Sequence, residues 1–141
     1  MLLLDTNIIL EIALEQDNAQ ECVNLLEQYD KIDFFISDFS IHSIGVILNK
    51  RNNLEKFDKL IEDLRLVLKA ILSLDHYYDL KRLINIMKVF DLDFDDAYQY
   101  RIAEKYKLTI VNFDKDFDKT KLGKRTPAEI LQTINQLTLS F

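Results

Sequence analysis

Cysteine, glycine, proline and tryptophan are scarce in this chain of 141 residues, which has one Cys, two Gly, one Pro and no Trp. Because Cys22 has no second cysteine to pair with, an intramolecular disulfide and a cysteine-rich metal site are excluded. A reducing cytoplasm is the simplest location for such a chain. With only Gly45 and Gly123, the sequence also has no glycine-rich loop for phosphate or dinucleotide binding.

Long apolar runs and an excess of positive charge are also missing. No run could cross a bilayer, and the N-terminus has acids at Asp5 and Glu11 instead of a basic leader, so we expect neither a signal peptide nor a membrane anchor. The net charge of −6 argues against a general electrostatic binder of nucleic acid, although a local basic patch is still allowed. The length and the 48% hydrophobic content predict a single domain over residues 1–141.

Apolar runs alternate with amphipathic segments along the chain. Leu2–Leu4 has no polar alternation, which is typical of a strand covered on both faces. Further strands are predicted at Ile32–Ile36, Ala70–Leu74 and Leu108–Val111. Helical spacing predicts helices over Asn7–Glu15, Ala19–Tyr29, Phe39–Asn49, Leu54–Lys69, His76–Phe90 and Asp95–Tyr106. This alternation predicts an α/β fold with a parallel sheet and right-handed crossovers.

Two predicted strands end in carboxylates. Asp5 follows the first strand and Asp114 follows the last, and the carboxyl ends of parallel strands lie at one edge of a sheet. Asp96 lies in the first turn of a predicted helix, and periodicity does not determine whether it faces the same edge. The alternative is that Asp5 only caps a helix, and that Asp93 and its neighbours only complement a helix dipole.

Carboxylates that are brought together repel one another unless a cation lies between them. Mg²⁺ or Mn²⁺ suits oxygen ligands and commonly bridges carboxylates to phosphate oxygens. Such an ion would lower the pKa of an attacking water and stabilise charge at the phosphorus centre. No serine or cysteine nucleophile paired with a histidine competes with this interpretation.

Three motifs occur in order along the chain: Leu-Asp-Thr-Asn at 4–7, Phe-Asp-Asp-Ala-Tyr-Gln-Tyr at 94–100, and Thr-Ile-Val-Asn-Phe-Asp-Lys-Asp-Phe at 109–117. Together they resemble a PIN domain, and residues 123–131 resemble the closing segment of that family. The resemblance implies a three-layer α/β/α fold with a mostly parallel sheet of about five strands. It further implies an Mg²⁺- or Mn²⁺-dependent ribonuclease, frequent homodimers, and membership for many such proteins in VapC-type toxin–antitoxin pairs.

The same resemblance assigns roles to residues of this chain. Asp5, Asp96 and Asp114 would be the catalytic metal ligands, with Asp116 as an auxiliary acid, and Asp93 would support them. Thr6 and Asn7 would orient Asp5.

One position departs from the family pattern. The family usually has a glutamate early in the helix after the second strand, where this chain has Ser43. His42 and Asp38 are the nearby candidates to substitute for it, but adjacent helix positions point about 100° apart. An alternative function therefore stays open, in which a catalytically degenerate domain binds RNA or a protein without cutting.

Four basic residues follow the last acidic loop. Lys119, Lys121, Lys124 and Arg125 could hold RNA phosphates beside the metal, or form an ordinary solvated charge run.

Overall fold

A computed structural model describes residues 1–139 as a sheet of four strands with helices on both faces. The strands are β1 (Leu2–Leu4), β2 (Phe34–Ser37), β3 (Leu68–Leu72) and β4 (Thr109–Val111). The helices are α1 (Thr6–Ala13), α2 (Ala19–Leu26), α3 (Asp38–Lys50), α4 (Leu54–Val67), α5 (Tyr77–Phe90), α6 (Phe94–Tyr106) and α7 (Pro127–Leu139), with a 3₁₀ helix at Lys115–Lys119. Within residues 1–139, no helix has both the length and the apolar character needed to cross a membrane.

The sheet is parallel throughout and runs β3-β2-β1-β4, which confirms the predicted α/β fold. An isolated bridge between Val111 and Arg125 extends it beyond β4, at the place where a fifth strand would lie. The strand count is therefore four in the described residues, against the predicted number of about five.

Alternate residues of β1 face two separate hydrophobic cores. Leu2 and Leu4 pack with Ile8, Leu25 and Ile44 on one side, whereas Leu3 packs with residues of α5, α6 and β4 on the other. Successive strand residues point to opposite faces, so a run of three leucines needs two cores. The buried strand in turn places Asp5 at its carboxyl end.

Three segments differ from what the hydrophobic pattern of the sequence predicts. The third strand lies at Leu68–Leu72, two residues before the predicted segment, and its middle residues are exposed because it is an edge strand. The helical spacing of Phe94 and Tyr106 with Ala97, Tyr98 and Ile102 predicts that both lie on the buried side of α6, but they are 48% and 40% exposed. The last apolar segment of the sequence, Ala128–Leu131, is shorter than the helix it belongs to, since α7 continues through the more polar residues that follow Leu131.

An ion-pair network fixes α6, the helix that carries Asp96, against α5. Asp79 of α5 is buried and accepts hydrogen bonds from Arg101 at 2.7 Å and from Lys105 at 2.7 Å. Arg101 also donates to Glu104 at 3.0 Å, and Glu104 accepts a bond from Arg82 of α5. A buried carboxylate satisfied on several sides holds two helices in one arrangement.

Ser37 caps α3 from the end of β2. Its fully buried Oγ accepts a hydrogen bond from the Ser40 backbone N–H at 3.0 Å. We expect Ser37→Ala to lower the free energy of unfolding by about 1–2 kcal/mol, because it removes a cap and leaves a buried donor unpaired. Urea unfolding measures this, with Ser73→Ala, an exposed serine beyond β3, as the control. Equal losses in both variants would contradict the capping role.

Candidate metal centre

The carboxyl ends of β1 and β4 lie side by side, as expected for neighbouring parallel strands. Leu4 pairs with Val111, and the Asp5 backbone N–H donates to the Val111 carbonyl at 3.0 Å. Asp5 leaves this edge from β1, while Asn112 and the loop bearing Asp114 leave it from β4. The fold thus brings together two segments that are more than a hundred residues apart in sequence.

Three predicted site acids converge at this edge. One carboxylate oxygen each from Asp96, Asp114 and Asp116 lies within 4.8 Å of the other two. Asp96 comes from the first turn of α6, and the other two come from the start of the 3₁₀ helix. The Asp116 backbone N–H donates to Asp114 Oδ1 at 2.9 Å, which fixes the relative positions of these two acids.

Asp5 and Asp96 face a common acidic cleft of about 250 Å³. Its other lining residues are Thr6, Phe39, Ser43, Ile47, Asp95 and Gln99. Asp96 belongs both to this cleft and to the three-acid cluster, so it connects Asp5 to the other acids. Asp95 also lines the cleft, although the sequence indicated only a helix-dipole role for it.

The pKa values of two of these carboxyl groups are raised. Burial raises the pKa of Asp5 to about 6, and the backbone N–H groups of Thr6 and Asn7 and the Gln99 amide oppose this rise. Burial also raises the pKa of Asp96 to about 7, with further contributions from Asp95 and the other site acids. A cation would reverse this balance, because it stabilises the ionised form of every carboxylate around it.

Gln99 is the main site residue that the sequence did not reveal. Its buried Nε2 donates to Asp5 Oδ1 at 3.0 Å and also bonds Ser40 Oγ. Ser40 Oγ also accepts a bond from Thr6 Oγ1 at 2.8 Å, which links β1, α3 and α6 around Asp5. The sequence contained one signal for Gln99, its helical spacing. Gln99 follows Asp96 by three positions, which places the two side chains on the same face of α6. In the same way, Ser43 follows Ser40 by three positions in α3.

Asn112, which directly follows β4, has a similar supporting role, and the sequence did not predict that role either. It is buried, and its Oδ1 accepts hydrogen bonds from Asn7 Nδ2 at 2.7 Å and from the Asp114 backbone N–H at 2.6 Å. The side chain of Asn7 therefore supports Asp114 through Asn112. Thr6 and Asn7 face Asp5 through their backbone N–H groups.

The position opposite Asp5 is occupied by Ser43, which lines the acidic cleft. His42 does not line it, and Asp38 accepts a hydrogen bond from the Tyr98 hydroxyl at 2.9 Å. Asp93 is exposed just before α6 and is outside both the cleft and the three-acid cluster. Neither His42 nor Asp38 therefore replaces the missing glutamate in the lining of the cleft.

Three of the four predicted basic residues have partners within the chain. Lys119 donates to the Asp91 carbonyl at 2.7 Å, Lys124 lies 3.1 Å from an Asp118 carboxylate oxygen, and Arg125 donates to Thr133 Oγ1 at 2.6 Å. Lys121 is exposed. Phosphate contacts by the first three side chains would compete with these interactions, so the predicted role of the basic run in RNA binding stays a prediction.

A family model for the PIN domain matches residues 2–122, which include every acid of this site. The chain belongs to the PIN domain family. No curated protein matches it in sequence. Sequence searches alone therefore offer no curated relative from which a substrate could be transferred.

Solved structures share the fold of this PIN domain. A chain of a toxin–antitoxin complex from Klebsiella pneumoniae aligns with a TM-score of 0.71 at 20% identity, covering 90% of this chain and 98% of that one. FitAcB from Neisseria gonorrhoeae gives 0.70 at 22% identity, with coverages of 91% and 99%. PAE2754 from Pyrobaculum aerophilum gives 0.67 at 18% identity, with coverages of 95% and 94%. At these low sequence identities, the TM-scores show that the chains share a fold.

The side chains at the centre of this PIN domain fit a hard divalent cation. They offer carboxylate oxygens at short mutual distances, the donor set that Mg²⁺ and Mn²⁺ prefer. In addition, the buried Oε1 of Gln99 has no hydrogen-bond partner within residues 1–139. An unpartnered acceptor in the wall of an acidic cleft is consistent with a hydrated ion there.

Proposed function

We propose that this PIN domain is a metal-dependent endoribonuclease that hydrolyses RNA phosphodiester bonds. PIN domains are generally metal-dependent nucleases, which supports a hydrolase. The observation that carries the proposal is the convergence of Asp96, Asp114 and Asp116 beside the cleft that contains Asp5. Cleavage by water would leave a 5′-phosphate on one product.

The proposed roles follow from the contacts of each residue. Asp5, Asp96, Asp114 and Asp116 would hold Mg²⁺ or Mn²⁺, which supplies water activation and charge stabilisation at phosphorus when bound. Gln99 keeps one oxygen of Asp5 in a fixed direction, and Asn112 fixes the backbone of Asp114. These neutral amides orient the carboxylates without adding negative charge to the cluster.

We further propose that the protein acts as the toxin of a toxin–antitoxin pair. One structure with this fold belongs to a toxin–antitoxin complex, which supports a protein antitoxin as partner. A homodimer, a cytoplasmic location and a single domain over residues 1–141 belong to the same proposal. Copurification of a co-expressed neighbouring gene product would test the antitoxin, and sedimentation would test the dimer.

Cleavage of single-stranded and structured RNA in the presence of Mn²⁺ tests the nuclease directly. We expect the unsubstituted protein to cut RNA, and Asp5→Asn to lose this activity because one cleft carboxylate is gone. Asp118→Asn is the matched control, since Asp118 is an exposed acid outside the cluster, and within residues 1–139 it forms an ion pair with Lys124 alone. Indistinguishable rates for Asp5→Asn and the unsubstituted protein would contradict the proposal.

The presence of Ser43 in the cleft favours a second candidate, a degenerate domain that binds RNA or a protein without cutting. Calorimetric titration with Mn²⁺ separates the two. Binding that disappears in Asp114→Asn supports the nuclease, whereas no binding at millimolar metal supports the binding module.

A further inference from the structure

A second hollow adjoins the acidic cleft on the outer side of α3. It has a volume of about 400 Å³ and is lined by Phe39, His42, Ser43, Val46 and Ile47. Phe39, Ser43 and Ile47 also line the acidic cleft, so the two hollows lie side by side. The second hollow therefore borders the proposed active site.

The lining of this hollow differs in character from that of the cleft. Its residues follow a spacing of three and four positions, which places them on one face of α3. That face has no Asp or Glu, and it leaves Val46 53% exposed to solvent. An aromatic ring and two aliphatic side chains form the apolar part, while His42 and Ser43 provide polar groups.

Aromatic rings extend the apolar wall towards solvent. The Phe39 ring lies 5.3 Å from the Tyr98 ring and 6.1 Å from the Phe94 ring, measured between centroids. Phe94 immediately precedes the acids of α6 and is 48% exposed. Phe94 is not part of either hydrophobic core, and the exposed part of its ring can contact a flat ligand.

We propose that this hollow binds one unpaired nucleobase of the RNA whose phosphodiester lies at the acid cluster. The inference rests on the proposed nuclease function. A nucleotide joins a flat ring to a phosphate, which matches a hollow with a largely apolar lining that lies beside an acidic cleft suited to a cation. Phe39 stacks on the base, and the His42 imidazole and Ser43 hydroxyl are placed to bond its edge. A base inside a duplex is stacked between its neighbours and could not enter.

Equilibrium binding of short fluorescent RNAs tests the subsite, with Asp96→Asn as a background that prevents cleavage. Adding Phe39→Leu keeps apolar bulk but removes stacking, and we expect it to weaken binding of single-stranded RNA about five- to tenfold. Binding of the same sequence in a duplex should not change. Tyr29→Leu is the control, because Tyr29 is an exposed aromatic residue located before β2, at the opposite edge of the sheet.

Scanning an abasic nucleotide along the RNA locates the subsite without relying on the folding of any Phe39 variant. We expect one position at which loss of the base weakens binding as much as Phe39→Leu does. At that position Phe39→Leu should have no additional effect, because the same contact is already missing. A flat scan, unchanged binding by Phe39→Leu, or no RNA binding at all would overturn the inference. Loss of a copurifying protein in Phe39→Leu with unchanged RNA binding would also overturn it, in favour of a protein docking site.

Cleavage of the same RNAs by the protein with Asp96 intact separates this inference from the function on which it rests. Cleavage together with a flat abasic scan would leave the nuclease standing and remove the subsite. Base-dependent binding without cleavage in Mn²⁺ would leave the subsite standing and remove the nuclease.

Discussion

Asp96→Asn is expected to slow RNA cleavage on the order of a hundredfold or more while making the metal-free protein more stable. Asp96 belongs both to the three-acid cluster and to the cleft with Asp5, so its loss affects every proposed metal contact. Without an ion, the charged form of Asp96 is unfavourable, because burial and four neighbouring acids raise the pKa of this carboxyl group to about 7. Asparagine keeps the shape and removes the charge.

The sign of the pH effect follows from the direction of these shifts. The pKa values of Asp5 and Asp96 rise from 3.8 in an unfolded chain to about 6 and about 7 in the folded protein. Their contribution to stability is therefore fully present below about pH 4 and is lost as the pH rises through 6 and 7. In EDTA at about pH 8, we expect Asp96→Asn to raise the free energy of unfolding by about 1–2 kcal/mol, a value reduced for solvent screening. The gain should shrink towards about pH 5.

Urea unfolding at both pH values, with and without Mn²⁺, measures these effects. Mn²⁺ should stabilise the unsubstituted protein, by about 2.7 kcal/mol at a hundred times its dissociation constant, and should have little effect on Asp96→Asn. Asp118→Asn should respond to Mn²⁺ like the unsubstituted protein, since Asp118 is outside the cluster. If Asp96→Asn destabilised the metal-free protein at the higher pH, the electrostatic account of the cleft would be wrong.

Sequence alone could predict those parts of the site that depend on the sheet. Leu2–Leu4 has no polar residue, so it had to be a buried strand, and parallel pairing then brings Asp5 to the edge from which Asp114 also leaves. Asp96 was different. Periodicity placed it on a helix but did not fix the direction of that helix, and only the family resemblance assigned it to the cluster.

The remaining features depend on contacts between residues that are distant in the chain. Gln99 meets Asp5 across 94 positions, and helical spacing can place Gln99 on the Asp96 face of α6 but does not show a contact with β1. Phe94 shows the opposite problem, because its hydrophobicity predicts burial but its position at the first residue of α6 leaves it half exposed. Local patterns report which residues can be buried, and tertiary packing decides which of them are.

Ser43→Glu is expected to tighten Mn²⁺ binding about tenfold or more. Ser43 lines the cleft that contains Asp5 and Asp96, so a glutamate there would add a fifth carboxylate to the four proposed ligands, on the side that now presents a hydroxyl. The same charge adds repulsion when no ion is present. We therefore expect the metal-free variant to be less stable by about 1 kcal/mol at neutral pH, opposite in sign to Asp96→Asn.

His42→Glu is the matched control for this experiment. It adds the same charge one position earlier in α3, but His42 is exposed and lines only the second hollow, about 100° around the helix from Ser43. Calorimetry with Mn²⁺ should distinguish the two variants clearly. Equal gains in affinity would mean that added negative charge, and not a ligand at the Ser43 position, attracts the ion. If neither variant gained affinity, α3 would not contribute to metal binding, and the neutral hydroxyl of Ser43 would be better explained by contact with the RNA base.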